Sequence, residues 1–197
     1  DCCETIYTIF IFTPEQVSST NKYKSNNSIQ FMIESLTDLS KKIHEQNGKL
    51  FTFYGDNIKV INNCIKTLNI DVIAFNRDIT PYAIKRDTEI IKLCQSSNID
   101  IIYEDDYYLH KIGSILNKSN KPYQKFTPFY NACSKLKVNI PEKYRKINFS
   151  IINLKLSNRI TLEQAMNKFT EINNDILVFG GRKHALSLLS NAIKTQK

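Results

Sequence analysis

Polar residues that could do chemistry stand directly after two short predicted strands, the wholly apolar run 72–75 and the mainly apolar residues 99–103. Apolar runs of this length are typical of strands buried on both faces of a parallel sheet. In open α/β sheets, ligands usually bind at the edge where such strands end, so we expect the polar residues there to line a binding site. The four candidates are Asn76, Arg77, Glu104 and Asp105.

The charges around these strand ends allow more than one role. In the acidic run Glu104-Asp105-Asp106, the carboxylates could transfer protons, hydrogen-bond a ligand or cap the next turn. Two adjacent pairs of opposite charge, Arg77 with Asp78 and Arg86 with Asp87, predict ion pairs that fix the loop or dock another domain. Direct contact with a ligand is the alternative for both pairs.

Patterns typical of a self-contained active site are absent from the sequence. It holds no G-x-G-x-x-G motif, no phosphate-binding P-loop, and no Ser or Cys in a nucleophile-elbow context. His44, His110 and His184 are far apart, and no metal spacing links them to each other or to the cysteines. We therefore predict no catalytic residues and no metal ligands.

Strands and helices alternate along residues 5–103 and are joined by short turns. This alternation predicts an α/β fold with a doubly wound parallel sheet, Rossmann-like and three-layered. Such a sheet commonly has five strands, and we count four, so we expect the first strand to be missing. The predicted elements are strands at 5–12, 50–54, 72–75 and 99–103, and helices at 26–47, 58–68 and 80–96.

The helix after the third strand has a clear start and a clear apolar face. Thr80-Pro81 is a helix-start signal, because Thr can cap the helix and Pro needs no N–H partner in the first turn. Helical spacing then places four residues on one stripe. They are Ala83, Asp87, Ile90 and Cys94.

The last third of the chain differs in charge and in pattern. Residues 134–197 hold 12 Lys/Arg and 4 Asp/Glu, whereas residues 1–133 hold 15 of each. This excess predicts either nucleic-acid binding or a solvated Lys-rich surface. Thr161-Leu-Glu-Gln164 is a capping box that opens a helix. Gly180-Gly181-Arg182 precedes another helix, either as an anion cradle of free N–H groups or as a tight helix entry.

Cysteine usage and hydropathy bear on location. The five cysteines form no C-x-x-C pair, and Cys64 and Cys94 fall on apolar helix faces as expected of buried thiols. A reducing intracellular compartment, cytoplasm or nucleus, fits this better than secretion. No apolar run approaches ~18 residues, so we expect no membrane span.

Four segments together resemble one family. They are Ile11-Phe-Thr-Pro-Glu-Gln16, Ser25-Asn-Asn-Ser-Ile-Gln-Phe-Met-Ile-Glu-Ser-Leu36, Phe75-Asn-Arg-Asp-Ile-Thr-Pro-Tyr-Ala-Ile-Lys-Arg-Asp87 and Lys121-Pro-Tyr-Gln-Lys-Phe-Thr-Pro-Phe-Tyr130. In order and spacing they look like the N-terminal α/β domain of the DNA photolyase/cryptochrome family. The resemblance covers residues 5–136 and continues weakly to Phe179-Gly-Gly-Arg-Lys-His-Ala-Leu186, which is similar to the helix that opens the family's helical flavin-binding domain.

The resemblance implies three regions: an antenna-type α/β domain over 1–136, a basic linker over 137–160, and the start of a truncated helical domain over 161–197. It implies an antenna folate or flavin at the α/β domain, for which Asn76, Arg77, Glu104 and Asp105 are the candidates, with domain–domain contact as the alternative. Flavin-adenine dinucleotide (FAD) and damaged DNA are implied as the cofactor and partner of the complete family protein, with a companion chain as a possible source of the helical domain.

Two departures from the family limit what the resemblance implies. Members begin with a further strand and an Arg-Asp-Leu-Arg-type motif, which is absent here, and the helical domain stops just after it starts. That later region of the family holds the FAD pocket and a tryptophan chain, and this sequence has no Trp. We therefore expect a fragment or split piece of a DNA photolyase that is inactive alone.

Two alternatives to that expectation stay open. The first is a cryptochrome-like or decayed non-enzymatic relative, and the second is a free-standing nucleotide-binding α/β module. Because loss of a central strand leaves backbone N–H and C=O groups unpaired, we also expect the isolated chain to aggregate or to need a partner piece.

Overall fold

A computed structural model describes residues 3–105, 108–138, 140, 147–152 and 154–195. The chain divides into two compact units, residues 1–67 with 145–197 as the first unit and residues 68–144 as the second. Asp106 and a part of the predicted basic linker, residues 139, 141–146 and 153, lie outside the described residues.

The first unit is built around a pair of parallel strands. Strand β1 pairs with β2 from Thr8 opposite Leu50 to Phe12 opposite Tyr54. β1 has the β-branched and aromatic composition that fits a pleated, packed surface. The elements are β1 (Thr8–Phe12), α1 (Pro14–Val17), α2 (Asn26–Glu45), β2 (Leu50–Tyr54), α3 (Asn57–Leu68), α6 (Leu162–Phe169) and α7 (Arg182–Thr195).

Residues from the last third of the chain complete the core of this unit. Phe169, at the end of α6, lies with its ring centroid 5.5 Å from that of Phe12 and 5.0 Å from that of Tyr54. Ala165 and Phe169 belong to the same buried cluster as Phe12 and Ile33. The backbone of Arg159 also bridges to β2, antiparallel to Phe53. The apolar stripe of α6 therefore packs onto β1 and β2 in the first unit.

The α6 capping box forms as predicted. Helix α7 differs from α6 in that its residues are exposed. Thr161 accepts the N–H of Gln164, and the Gln164 side chain accepts the N–H of Thr161. By contrast, no residue of α7 is buried, although Leu186, Leu189 and Ile193 share one side of it.

The second unit contains a βαβ motif. Its elements are β3 (Val72–Asn76), α4 (Pro81–Ser96), β4 (Asp100–Glu104) and α5 (Phe126–Cys133). Strands β3 and β4 pair in parallel, with Asn76 opposite Glu104. Thr80 caps α4 by accepting the N–H of Ala83, which confirms the predicted helix start. The predicted stripe is also confirmed, since all four of its members are buried.

These elements confirm the α/β class. Among the described residues, β1 with β2 and β3 with β4 each form a two-stranded parallel sheet. Cys64 and Cys94 are buried as predicted, and burial raises the pKa of both thiols. Within the described part of the chain, no helix has the length and apolar character needed to cross a membrane.

Candidate functional site

The carboxyl edge of β3 and β4 brings the four predicted site residues together. Asn76 and Glu104 are the last residues of the two strands and lie opposite each other. One position further, the Arg77 N–H donates to the Glu104 carbonyl oxygen at 3.0 Å. Asp105 follows Glu104 directly and meets the Arg77 side chain. The parallel register is thus what places residues 28 positions apart side by side.

Arg77 and Asp105 form a two-pronged ion pair. Arg77 Nε donates to Asp105 Oδ1 at 2.9 Å, and Nη2 donates to Oδ2 at 2.6 Å. The hydrogen bonds from Arg77 hold the pKa of Asp105 below its usual value, and the charges of Arg77 and Lys111 add to this effect. The Arg77 guanidinium also lies 5.4 Å from the centre of the Tyr103 ring. A planar guanidinium suits both contacts, the carboxylate fork and the aromatic face.

The four site residues divide between the two faces of the sheet. Side chains alternate along a strand, so Asn76 and Glu104 share one face. Phe75 and Tyr103 stack on the opposite face with centroids 6.0 Å apart, and Arg77 lies over Tyr103 there. One face of the edge therefore carries an aromatic and ion-paired surface, and the other carries an exposed amide and an exposed carboxylate.

Of the two predicted adjacent ion pairs, one forms and one does not. Arg86 pairs with Asp87, with Nε donating to Oδ1 at 2.8 Å, as predicted. The predicted pair of Arg77 with Asp78 is wrong, because the Arg77 side chain binds Asp105 instead. Asp78 Oδ1 accepts the backbone N–H groups of Ile79 at 2.6 Å and Thr80 at 3.2 Å. Asp78 therefore fixes the turn into α4.

The chemistry available at this edge is that of binding. The Asp105 carboxylate is already paired with Arg77, and its lowered pKa makes it a poor proton donor near neutral pH. Asn76 and Glu104 are exposed, and no side-chain hydrogen bond involving either occurs among the described residues. No cluster of His, Cys, Asp and Glu in the described part of the chain could hold a metal ion. The exposed amide and carboxylate on one face, or the stacked aromatic rings on the other, can contact a polar aromatic ligand.

The carboxyl edge of β1 and β2 holds a contact that the sequence did not signal. Lys168 Nζ lies 4.5 Å from the centre of the Tyr54 ring, at the end of β2. The two residues are distant in sequence, and helical spacing on α6 marks only its apolar stripe. Tertiary packing of Phe169 against Tyr54 is what brings Lys168 there.

The backbone N–H groups of Gly180-Gly181-Arg182 already have partners within the protein, which argues against the anion cradle. The three backbone N–H groups donate to Glu34, Ser35 and Asp38 of α2. These acceptors belong to the protein itself, and the segment is a tight entry to α7, the second of the two predicted roles.

Known proteins resemble this chain along most of its length. The family model of DNA photolyase matches residues 2–145. Cryptochrome-1 of Aedes aegypti is 27% identical over 98% of this chain and 38% of its own length. The (6-4) DNA photolyase of Arabidopsis thaliana is 25% identical over 96% of this chain and 36% of its own length. The chain thus spans less than two-fifths of these two relatives.

Solved structures agree with the sequence comparisons. An archaeal photolyase from Sulfolobus tokodaii, described with two FAD molecules, matches 95% of this chain and 40% of its own chain with a TM-score of 0.78 and 32% identity. A cryptochrome from Synechocystis matches 95% of this chain and 40% of its own with a TM-score of 0.75 and 20% identity, which supports the fold alone. The family model covers well over half of the chain, so this protein belongs to the DNA photolyase/cryptochrome family.

Proposed function

We propose that this chain is the antenna-type α/β part of a DNA photolyase, a protein that repairs pyrimidine dimers in DNA with light. The observation that carries the proposal is the match of 95% of the chain to 40% of an archaeal photolyase at 32% identity. On this proposal, FAD and damaged DNA are the cofactor and partner of the complete protein, which works inside the cell. The chain alone does not repair DNA.

The edge of β3 and β4 is the proposed contact for the antenna chromophore. Asn76 and Glu104 offer exposed polar groups there, and Phe75 with Tyr103 offers stacked rings on the other face. The Arg77–Asp105 pair holds the two strand ends in register and so supports both faces. Because the archaeal relative is described with a second FAD as a light-harvesting cofactor, a flavin is the first chromophore to test, and a folate is the second.

Helix α7 is the proposed beginning of the helical domain. Its apolar side carries Leu186, Leu189 and Ile193, each about half exposed. A helix with an apolar stripe is stable when that stripe is covered. The relatives extend well beyond the matched part, so the same polypeptide or a companion chain would supply the cover.

Absorption spectroscopy of the purified chain tests the antenna proposal. The chain is titrated with FAD, FMN and a methenyl-folate, and we expect saturable binding with a shifted visible band. Asn76→Ala should weaken binding about tenfold, whereas Glu89→Gln on the exposed side of α4 should not change it. Equal affinity of wild type and N76A, or absence of binding for all three chromophores, would count against this edge as the antenna site.

A repair assay tests the claim of inactivity. Purified residues 1–197 are mixed with dimer-containing DNA and FAD, illuminated with blue light, and assayed for loss of dimers. We expect no repair above the dark control. Light-dependent repair by this chain alone would refute the proposal.

The cryptochrome-like alternative keeps one supporting observation, the match of Cryptochrome-1 of Aedes aegypti over 98% of this chain. The same repair assay on the chain combined with a photolyase helical domain separates the two functions. Restored repair supports the photolyase function, and flavin photoreduction without repair supports the cryptochrome-like one.

A further inference from the structure

Helix α7 is attached to α2 through the backbone at its own start. The N–H of Gly180 donates to Glu34 Oε2 at 2.6 Å, the N–H of Gly181 to Ser35 Oγ at 3.0 Å, and the N–H of Arg182 to Asp38 Oδ2 at 2.9 Å. These three acceptors lie within two successive turns of α2. We call Glu34, Ser35 and Asp38 the α2 clip.

The segment that precedes α7 is fixed to the same helix. Gln30 and Asn173 bind each other reciprocally: Gln30 Nε2 donates to the Asn173 carbonyl at 3.2 Å, and the Asn173 N–H donates to Gln30 Oε1 at 2.8 Å. Gln30 Nε2 also donates to Glu34 Oε1 at 2.9 Å, which holds that carboxylate in place for Gly180. Gln30 is only 3% exposed, and its partners Glu34 and Asn173 are partly buried.

The two glycines are required for the close approach. A Cβ at position 180 would overlap the Phe31 carbonyl oxygen and lie 2.8 Å from Glu34 Cβ. Gly181 has φ +107°, which L side chains rarely adopt, and a Cβ there would lie 3.0 Å from Asp38 Cβ. The pair Gly180-Gly181 therefore lets the chain lie directly against the backbone of α2.

Helix α7 has no internal means of satisfying its first N–H groups. The residue before it is Gly181, which has no side chain to act as a cap. None of the 14 residues of α7 is buried, so packing adds little to its stability. An isolated helix of this length is marginal in water, and its free N–H groups favour anionic partners.

We propose that the α2 clip caps the entry to α7 and that α7 depends on it, because the clip accepts the N–H of Arg182, the first residue of the helix, and the N–H groups of the two glycines before it. Helix α7 is folded only while Gly180, Gly181 and Arg182 are docked on α2. Glu34 and Asp38 are therefore positioning residues, which set the direction of α7 and of its apolar side. The capping role stands without the proposed photolyase function, and only the use of that apolar side as a docking surface rests on it.

Hydrogen exchange of the whole chain, read by mass spectrometry, tests the proposal. In wild type we expect measurable protection of the amides of residues 182–190. The double variant Glu34→Ala, Asp38→Ala should lower that protection at least tenfold. Asp38→Asn keeps the acceptor without the charge and should retain most of the protection that Asp38→Ala loses. Glu45→Ala removes a carboxylate from α2 outside the clip and should change nothing.

A second variant changes the other side of the contact, at Gly180. Its result does not depend on substitutions in α2 that could unfold that helix. Gly180→Ala leaves the carboxylates intact and should release α7 to the same extent, with faster tryptic cleavage after Arg182 and Lys183. The amides of Ile33 and Leu36 report whether α2 itself stays folded. Unchanged protection of α7 in G180A and in the double variant, or an unprotected α7 in wild type, would overturn the proposal.

Discussion

Replacing Phe169 by Ala tests the finding that α6 shares a core with β1 and β2. The Phe169 side chain is 4% exposed and contacts the rings of Phe12 and Tyr54 at centroid distances of 5.5 and 5.0 Å. Removal of a buried Phe costs about 3–5 kcal/mol of folding free energy, and loss of two aromatic contacts favours the upper half of that range. We therefore expect a loss of about 4–5 kcal/mol.

Urea unfolding is the assay, with hydrogen exchange of β1 and β2 amides as a readout of the first unit alone. Since a domain is stable by only about 5–15 kcal/mol, Phe169→Leu provides a milder step with an expected cost near 1 kcal/mol. Leu177→Ala, at a side chain that is 95% exposed, is the control and should lie within about 0.5 kcal/mol of wild type. A cost below about 1 kcal/mol for F169A, with an unchanged m-value, would refute the packing of α6 in this core.

Three further predictions follow from local contacts. Hydrogen bonds from Arg77 lower the pKa of Asp105 in the folded state. The stabilisation from the ionised Asp105 carboxylate is therefore fully present above the unfolded-state pKa near 3.8, and it is lost as the pH falls through the folded-state pKa. Melting temperatures of wild type and Asp105→Asn should therefore converge as the pH falls below about 4, and a constant difference down to pH 2 would contradict this. Thr161→Ala breaks the α6 capping box and should cost about 1 kcal/mol in urea unfolding, whereas Thr161→Ser should restore it. Burial raises the pKa of the Cys94 thiol, so a thiol reagent at pH 8 should label exposed Cys3 first, and equal rates for the two thiols would argue against a buried Cys94.

The sequence predicted the helices and their caps well where the interacting residues lie within a few positions of each other. The start of α4 depends on the Thr80 hydroxyl and the Ala83 N–H, three positions apart, and both are visible in the sequence. The α6 capping box likewise joins residues three apart. The buried stripe of α4 follows from helical spacing alone. Such contacts need no knowledge of the tertiary fold.

Contacts between distant residues were missed because strand register and docking decide them. The sequence favoured Asp78 as the partner of Arg77, since it is adjacent, but the register of β3 with β4 brings Asp105 within reach. The clip was missed because Gly180 and Glu34 lie 146 positions apart. An acidic side chain on a long helix gives no sign in the sequence that it will receive a particular N–H group.

The contacts that Arg77 already makes within the protein constrain how a ligand could bind at the edge of β3 and β4. Both oxygens of Asp105 and two nitrogens of Arg77 are engaged with each other, and the guanidinium also lies over Tyr103. A ligand that recruited Arg77 would have to replace a charge-assisted fork, the stronger kind of hydrogen bond. A ligand that used Asn76 and Glu104 would meet exposed groups and displace only water. If the proposed antenna site lies at this edge, the geometry favours a division of roles: Arg77 and Asp105 hold the strand ends in register, and the exposed Asn76 and Glu104 are the groups left to contact a ligand.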